Sequence, residues 1–147
     1  MTCVECKSPL SYLDHRKSMD KFQAELCPAH LKRMEKFLAQ NDIPEETIIL
    51  YYALKEKGIK PMMAWWDGKR TVDLAISRVK LNIEIEKSLE PLTSEKALQE
   101  LEKTMHSYKN GFTTIRIPYT LIRKDLGRTV ENIQGIIDGL RVNIKVI

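Results

Sequence analysis

The sequence predicts a mixed α/β (α+β) fold: a helix, a three-stranded antiparallel meander, a second helix, a strand and a last helix, all preceded by a cysteine-bearing segment. Three observations predict it. The spacing of apolar residues is helical before residue 58, alternates between 61 and 86, and is helical again from 94. Asp67-Gly68 sits between two apolar runs, the dipeptide that tight hairpins prefer. The helical stretch 94–109 separates two strand-like runs, and a crossover of that length makes its flanking strands parallel neighbours.

Each element follows in order. Residues 28–40 carry Leu31, Met34, Phe37 and Leu38 at helical spacing, with Pro28 at the first turn, and Gln40-Asn41-Asp42 interrupts the pattern. A helix over about 44–57 aligns Ile49, Leu50, Ala53 and Leu54 and stops at Gly58. Strands are expected over 61–66, 70–76 and 80–86, the last two joined by a short turn near Ser77-Arg78. Thr93 or Ser94 can cap helix 94–109, in which Ala97, Leu98, Leu101, Met105 and Tyr108 share a face; Asn110-Gly111 ends it. A strand over 112–117 and a helix over about 127–141 follow, and the tail 142–147 reads as a strand or a frayed end.

Composition bounds the function classes. The chain has 147 residues, 24 Lys+Arg against 20 Asp+Glu, a net charge of +4 and 43% hydrophobic residues. That apolar content excludes a disordered polyelectrolyte, and no apolar run approaches the roughly 20 residues of a membrane span. Cys3 and Cys6 fall where a signal peptide would carry its basic and apolar regions, so a soluble, cytoplasmic protein is expected.

Three cysteines cannot pair off completely, so disulfides explain them poorly. Cys3-Val-Glu-Cys6 and Cys27-Pro-Ala-His30 instead form a C-x2-C and a C-x2-H pair, three thiolates and one imidazole, the set that closes a tetrahedral zinc shell. A treble-clef or ribbon-like zinc knuckle is predicted, which with its linking helix spans 1–40 and whose structural metal helps to fold the first thirty residues. His15 is a substitute ligand or a loop histidine.

The strands carry a second constellation. Val72, Leu74 and Ile76 point one way and Thr71, Asp73 and Ala75 the other; across the turn, Asn82, Glu84 and Glu86 oppose Leu81, Ile83 and Ile85. A two-residue loop pairs residues summing to 155 and a four-residue loop pairs residues summing to 157; both put Asp73 on one patch with Glu84 and Glu86. Like charges that close repel unless a cation lies among them, and carboxylate oxygens suit Mg²⁺ or Mn²⁺. The plain alternative is a solvated sheet face.

The string Val72-Asp73-Leu74-Ala75-Ile76, then Leu81-Asn82-Ile83-Glu84-Ile85-Glu86-Lys87, a helix, and Gly111-Phe112-Thr113-Thr114-Ile115-Arg116-Ile117 resembles the restriction-endonuclease-like PD-(D/E)xK nucleases. Within them it is most similar to the very-short-patch mismatch repair endonucleases, over roughly residues 44–141. The resemblance implies a restriction-endonuclease-like domain over 41–147 and hydrolysis of DNA phosphodiester bonds. It makes Asp73 and Glu84 ligands of a catalytic Mg²⁺ or Mn²⁺, with the Ile85 carbonyl beside them, and assigns an acidic role to Glu46 or, less well, Glu45. Glu86 stands where the motif has lysine, and Lys87 falls on the wrong face of an uninterrupted strand. Lys80 or Lys103 could supply the missing cation, His106 less well. Arg116, Arg123, Lys124 and Arg128 are candidates for phosphate contacts, Trp65-Trp66 for base stacking. A homodimer is allowed, since cutting both strands of a duplex often takes two copies of this fold. The alternative is a catalytically inactive nuclease-fold module that binds nucleic acid or protein beside a structural zinc.

Overall fold

The computed structural model describes residues 1–88 and 90–146, with side chains up to Asn143. Its helices are α1 (Tyr12–Phe22), α2 (Pro28–Gln40), α3 (Glu45–Glu56), α4 (Ser94–Lys109), α5 (Tyr119–Lys124) and α6 (Leu126–Val146). Its strands are β1 (Met62–Trp66), β2 (Thr71–Ile76), β3 (Leu81–Glu86) and β4 (Thr113–Pro118). The architecture is mixed α/β around one four-stranded mixed sheet in the order β1-β2-β3-β4.

β1, β2 and β3 form the antiparallel meander, and β4 joins β3 in parallel after the α4 crossover. Asp67 makes the first turn by accepting the Lys69 and Arg70 N–H groups on Oδ1 at 2.9 and 2.8 Å. The second turn is a short 3₁₀ helix, Ser77–Val79, closed by Lys80 in the left-handed region at φ 52°. That four-residue loop selects the longer register: Leu74 pairs with Ile83 and Ile76 with Leu81, so residues summing to 157 face each other.

One sheet face is apolar. Leu74, Ile76, Leu81, Ile83 and Ile85 pack with Ile49, Leu50 and Leu54 of α3 and with Ile133 and Ile137 of α6 in a continuous core. Truncating one such fully buried side chain to alanine costs about 2–5 kcal/mol. A second core joins the first forty residues to α3: Cys3, Leu10, Phe22, Leu26 and Leu31 meet Ile48 and Tyr52. The other sheet face is polar and is covered at its β4 side by α4. Arg116 on β4 donates to the Glu100 carbonyl and carboxylate at 3.3 and 3.1 Å and to the Thr104 hydroxyl at 2.8 Å.

Three expectations change. Helix α1 was not expected; only Ser18 and Phe22 of it are buried, while Tyr12, Leu13 and Met19 face water, so its sequence lacks an amphipathic stripe. The six-residue α5 is too short to show a period. The tail continues α6 to Val146 instead of forming a strand, and Ile147 lies outside the described residues.

Candidate functional site

The four predicted zinc ligands converge. Cys3 begins a tight turn in which the Cys3 N–H donates to the Ser8 carbonyl and the Lys7 N–H donates to the Cys3 carbonyl, both at 2.9 Å. Lys7 turns the chain there at φ 64°. Cys27 is the N-cap of α2, and Pro28 opens the helix so that His30 comes round one turn later. Their donor atoms all lie within 4.8 Å of one another. Individual separations are 3.8 Å for Cys6 to Cys27, 3.7 Å for Cys3 to His30 Nδ1 and 3.1 Å for Cys27 to His30 Nδ1. A tetrahedron with metal–sulfur bonds of about 2.3 Å has sulfur–sulfur edges of roughly 3.7 Å, so this donor set fits a four-coordinate metal. The hydroxyl of Ser8, followed by its backbone, brings the Cys6 thiol down to about 6, which favours the thiolate a metal needs. His15 is not part of the cluster; its Nδ1 lies 3.3 Å from Glu25.

The carboxylates divide into a pair and two outliers. The paired residues end at Leu74 and Ile83; continued by one step, the same register sets Asp73 opposite Glu84, and Asp73 Oδ2 accepts the Ile85 N–H at 2.8 Å. Asp73 is buried, and its carboxyl group lies close enough to that of Glu84 for each to act on the other's protonation. Burial, and for Glu84 the charge of Asp73, raises both acids, Glu84 to about 7. Arg70 opposes this with Nη1 3.0 Å from Glu84 Oε1, but the approach lacks hydrogen-bond geometry and leaves Oε1 unpartnered. Arg70 Nε and Nη2 and Asp67 Oδ2 are likewise buried without hydrogen-bond partners, although Nε and Oδ2 face each other at 3.9 Å. This cluster of unsatisfied polar atoms beside two carboxylates is the kind of site a ligand completes.

Glu86 faces solvent at the end of β3, and Glu46 is held by Arg123, whose Nε donates to it at 2.8 Å; Glu45 meets the same guanidinium at 3.3 Å. Among the described residues, Asp73 and Glu84 have no third Cys, His, Asp or Glu donor close enough to make a three-donor group. Two carboxylates nonetheless fit magnesium, which commonly takes one or two from the protein and fills the rest of its shell with water and substrate phosphate.

The lysines are also redistributed. Lys80 lies against Gly111 at the start of β3, and Lys103 pairs with Glu100 at 3.4 Å. Lys87 follows the last residue of β3, so strand alternation no longer fixes its direction, and its charge acts with Arg70 to favour the Asp73 carboxylate. Its ammonium lies 3.3 Å from the exposed Asp42. The strand thus stops one residue short of Lys87 and does not run on through it.

Of the phosphate-contact candidates, Arg116 and Arg123 are engaged in the contacts above, Arg128 lies 3.8 Å from Asp125, and Lys124 is exposed. Of the tryptophans, Trp66 is exposed, whereas Trp65 rests on Phe112 with ring centroids 5.2 Å apart. Met63 packs against the α3/α6 core and Trp65 does not, because Ala64 between them breaks the alternation at φ 50°. Alanine adopts that left-handed conformation at a cost of roughly 1 kcal/mol, and the register sets it across from Asp73. Neither Arg70 nor Ala64 was singled out from sequence, since each gains its role only through the register.

Compared with protein families, with characterised proteins and with solved structures, the chain finds no match. No described helix is long and apolar enough to cross a membrane.

Proposed function

We propose that the chain is a metal-dependent nuclease of restriction-endonuclease-like fold that hydrolyses DNA phosphodiester bonds, with a structural zinc held by Cys3, Cys6, Cys27 and His30. The observation that carries the reading is the Asp73–Glu84 pair: two acids packed together, mostly buried and both raised, an arrangement that costs stability unless a cation or a proton joins it. The order helix, meander, crossover helix, parallel strand and helix is what the resemblance implies.

In this reading Asp73 and Glu84 hold Mg²⁺ or Mn²⁺, which when bound lowers the pKa of a coordinated water and screens phosphate charge. The Ile85 N–H fixes Asp73 in place, and Arg70 orients Glu84. Lys87, whose charge favours the Asp73 carboxylate, is our candidate for the role of the motif's lysine ahead of Lys80 and Lys103, with Glu86 beside it at the solvent edge. Binding without cleavage is the second reading, and the guanidinium of Arg70 favours it, because it already supplies Glu84 with a positive neighbour.

The test is incubation of zinc-loaded protein with supercoiled plasmid and with labelled single-stranded DNA, in Mg²⁺, Mn²⁺ or chelator. Divalent-dependent nicking supports the nuclease; binding of the same substrates without product in either metal supports the second reading.

A further inference from the structure

Helix α4 is inside out. Its stripe of Leu98, Leu101, Met105 and Tyr108 is exposed by 55, 64, 50 and 74%, while the side facing the sheet carries Thr104 and Ser107, the latter 2% exposed. A surface helix ordinarily turns its apolar stripe inward. Here the polar sheet face dictates the opposite: Arg116 requires acceptors above it, and Glu100 and Thr104 provide them.

We propose that this stripe is the interface between two copies of the chain, paired antiparallel about a two-fold axis near residue 103. The spacing is its own complement. Leu98 and Tyr108, and Leu101 and Met105, lie symmetrically about that position, so reversal of the helix brings Leu98 onto Tyr108 of the second copy and Leu101 onto its Met105. Charge agrees with this orientation. Glu95 stands in the first turn of α4 and Lys109 in the last, so the antiparallel pair brings each Glu95 to within two residues, about 3 Å along the axis, of the level of Lys109 of the other copy, twice, with the helix dipoles opposed. A parallel pairing would align like charges at each end. The exposed Glu102 side chains meet near the axis, where water still screens them. The four side chains of each copy bring the area removed from water to the order of 1,000 Å², the lower edge of a specific interface. A weak, reversible dimer follows.

The experiment is sedimentation velocity of the zinc-loaded full chain over roughly 1–200 µM. Wild type is expected to shift from monomer to dimer with concentration, and Leu101→Glu, which replaces an exposed side chain and leaves the melting temperature unchanged, to raise the dimer dissociation constant at least about tenfold. Glu95→Lys and Lys109→Glu should each weaken the dimer about threefold, and the two together should restore it. A wild type that stays monomeric throughout overturns the proposal, as does a dimer indifferent to Leu101→Glu. A double exchange that fails to restore association overturns the antiparallel orientation.

Discussion

Asp73 and Glu84 stand side by side one step beyond the last β2–β3 pair, Leu74 and Ile83, with Asp73 Oδ2 pinned by the N–H of Ile85 at 2.8 Å. The pair exists because Lys80 takes a left-handed conformation and makes the turn four residues long; the two-residue alternative would leave the acids diagonal. Everything proposed for this face depends on that one register.

The pair makes stability depend on pH. Glu84 is raised to about 7 from an ordinary 4.5, so between those values the folded chain binds more protons than the unfolded one. Stability from this group is therefore complete below pH 4.5 and is lost as pH rises through about 7. Glu84→Gln, which cannot ionise, should gain on the wild type by on the order of 1–3 kcal/mol between pH 5 and pH 8. Urea unfolding of both proteins without added divalent ions at several pH values checks it; a constant difference would contradict it.

Loss of the four-donor metal should spread beyond the first forty residues, because Cys3, Phe22 and Leu26 share a core with Ile48 and Tyr52 of α3. Metal analysis should give one zinc per chain, and Cys27→Ser should lower that below about 0.2 and expose the α3 face to hydrogen exchange. Exchange confined to residues 1–40 would show that the two parts are less coupled than their packing implies.

Lys87 should matter for cleavage and not for folding. It is half-exposed and pairs with a fully exposed carboxylate, so Lys87→Met should shift the melting temperature by no more than about 2 °C. Cleavage should fall at least about tenfold. Equal activity in Lys87→Met, with loss in Lys80→Met or Lys103→Met, would move the role to one of those residues.

Arg116 ties α4 to the sheet through three acceptors and also lowers Glu84. Arg116→Met should cost about 1–3 kcal/mol and push Glu84 further up. Thermal unfolding gives the first quantity and carboxyl titration by NMR the second; a loss of stability with Glu84 unmoved would leave Arg116 as a latch alone.

Much of this was legible in the residues. The two x2 spacings brought four donors together, the alternation of residues 71–86 gave the paired acids, and Thr93 caps α4 by accepting the Lys96 N–H at 3.2 Å. What escaped depended on context. Helix α1 is anchored by its Ser11 cap and by Phe22 rather than by periodicity. The apolar face of α4 was visible but not its direction, because pattern alone does not say that Arg116 would claim the helix's other side. Arg70 lies beyond a turn from Glu84, so nothing in its local sequence marks it as a partner.

The most direct measurement is the nicking rate of supercoiled plasmid in Mn²⁺ by zinc-loaded wild type beside Asp73→Asn, both verified as folded. Metal-dependent nicking by wild type is expected, falling at least about a hundredfold in the variant. Equal rates in the two proteins, or none from wild type on any substrate, would contradict it.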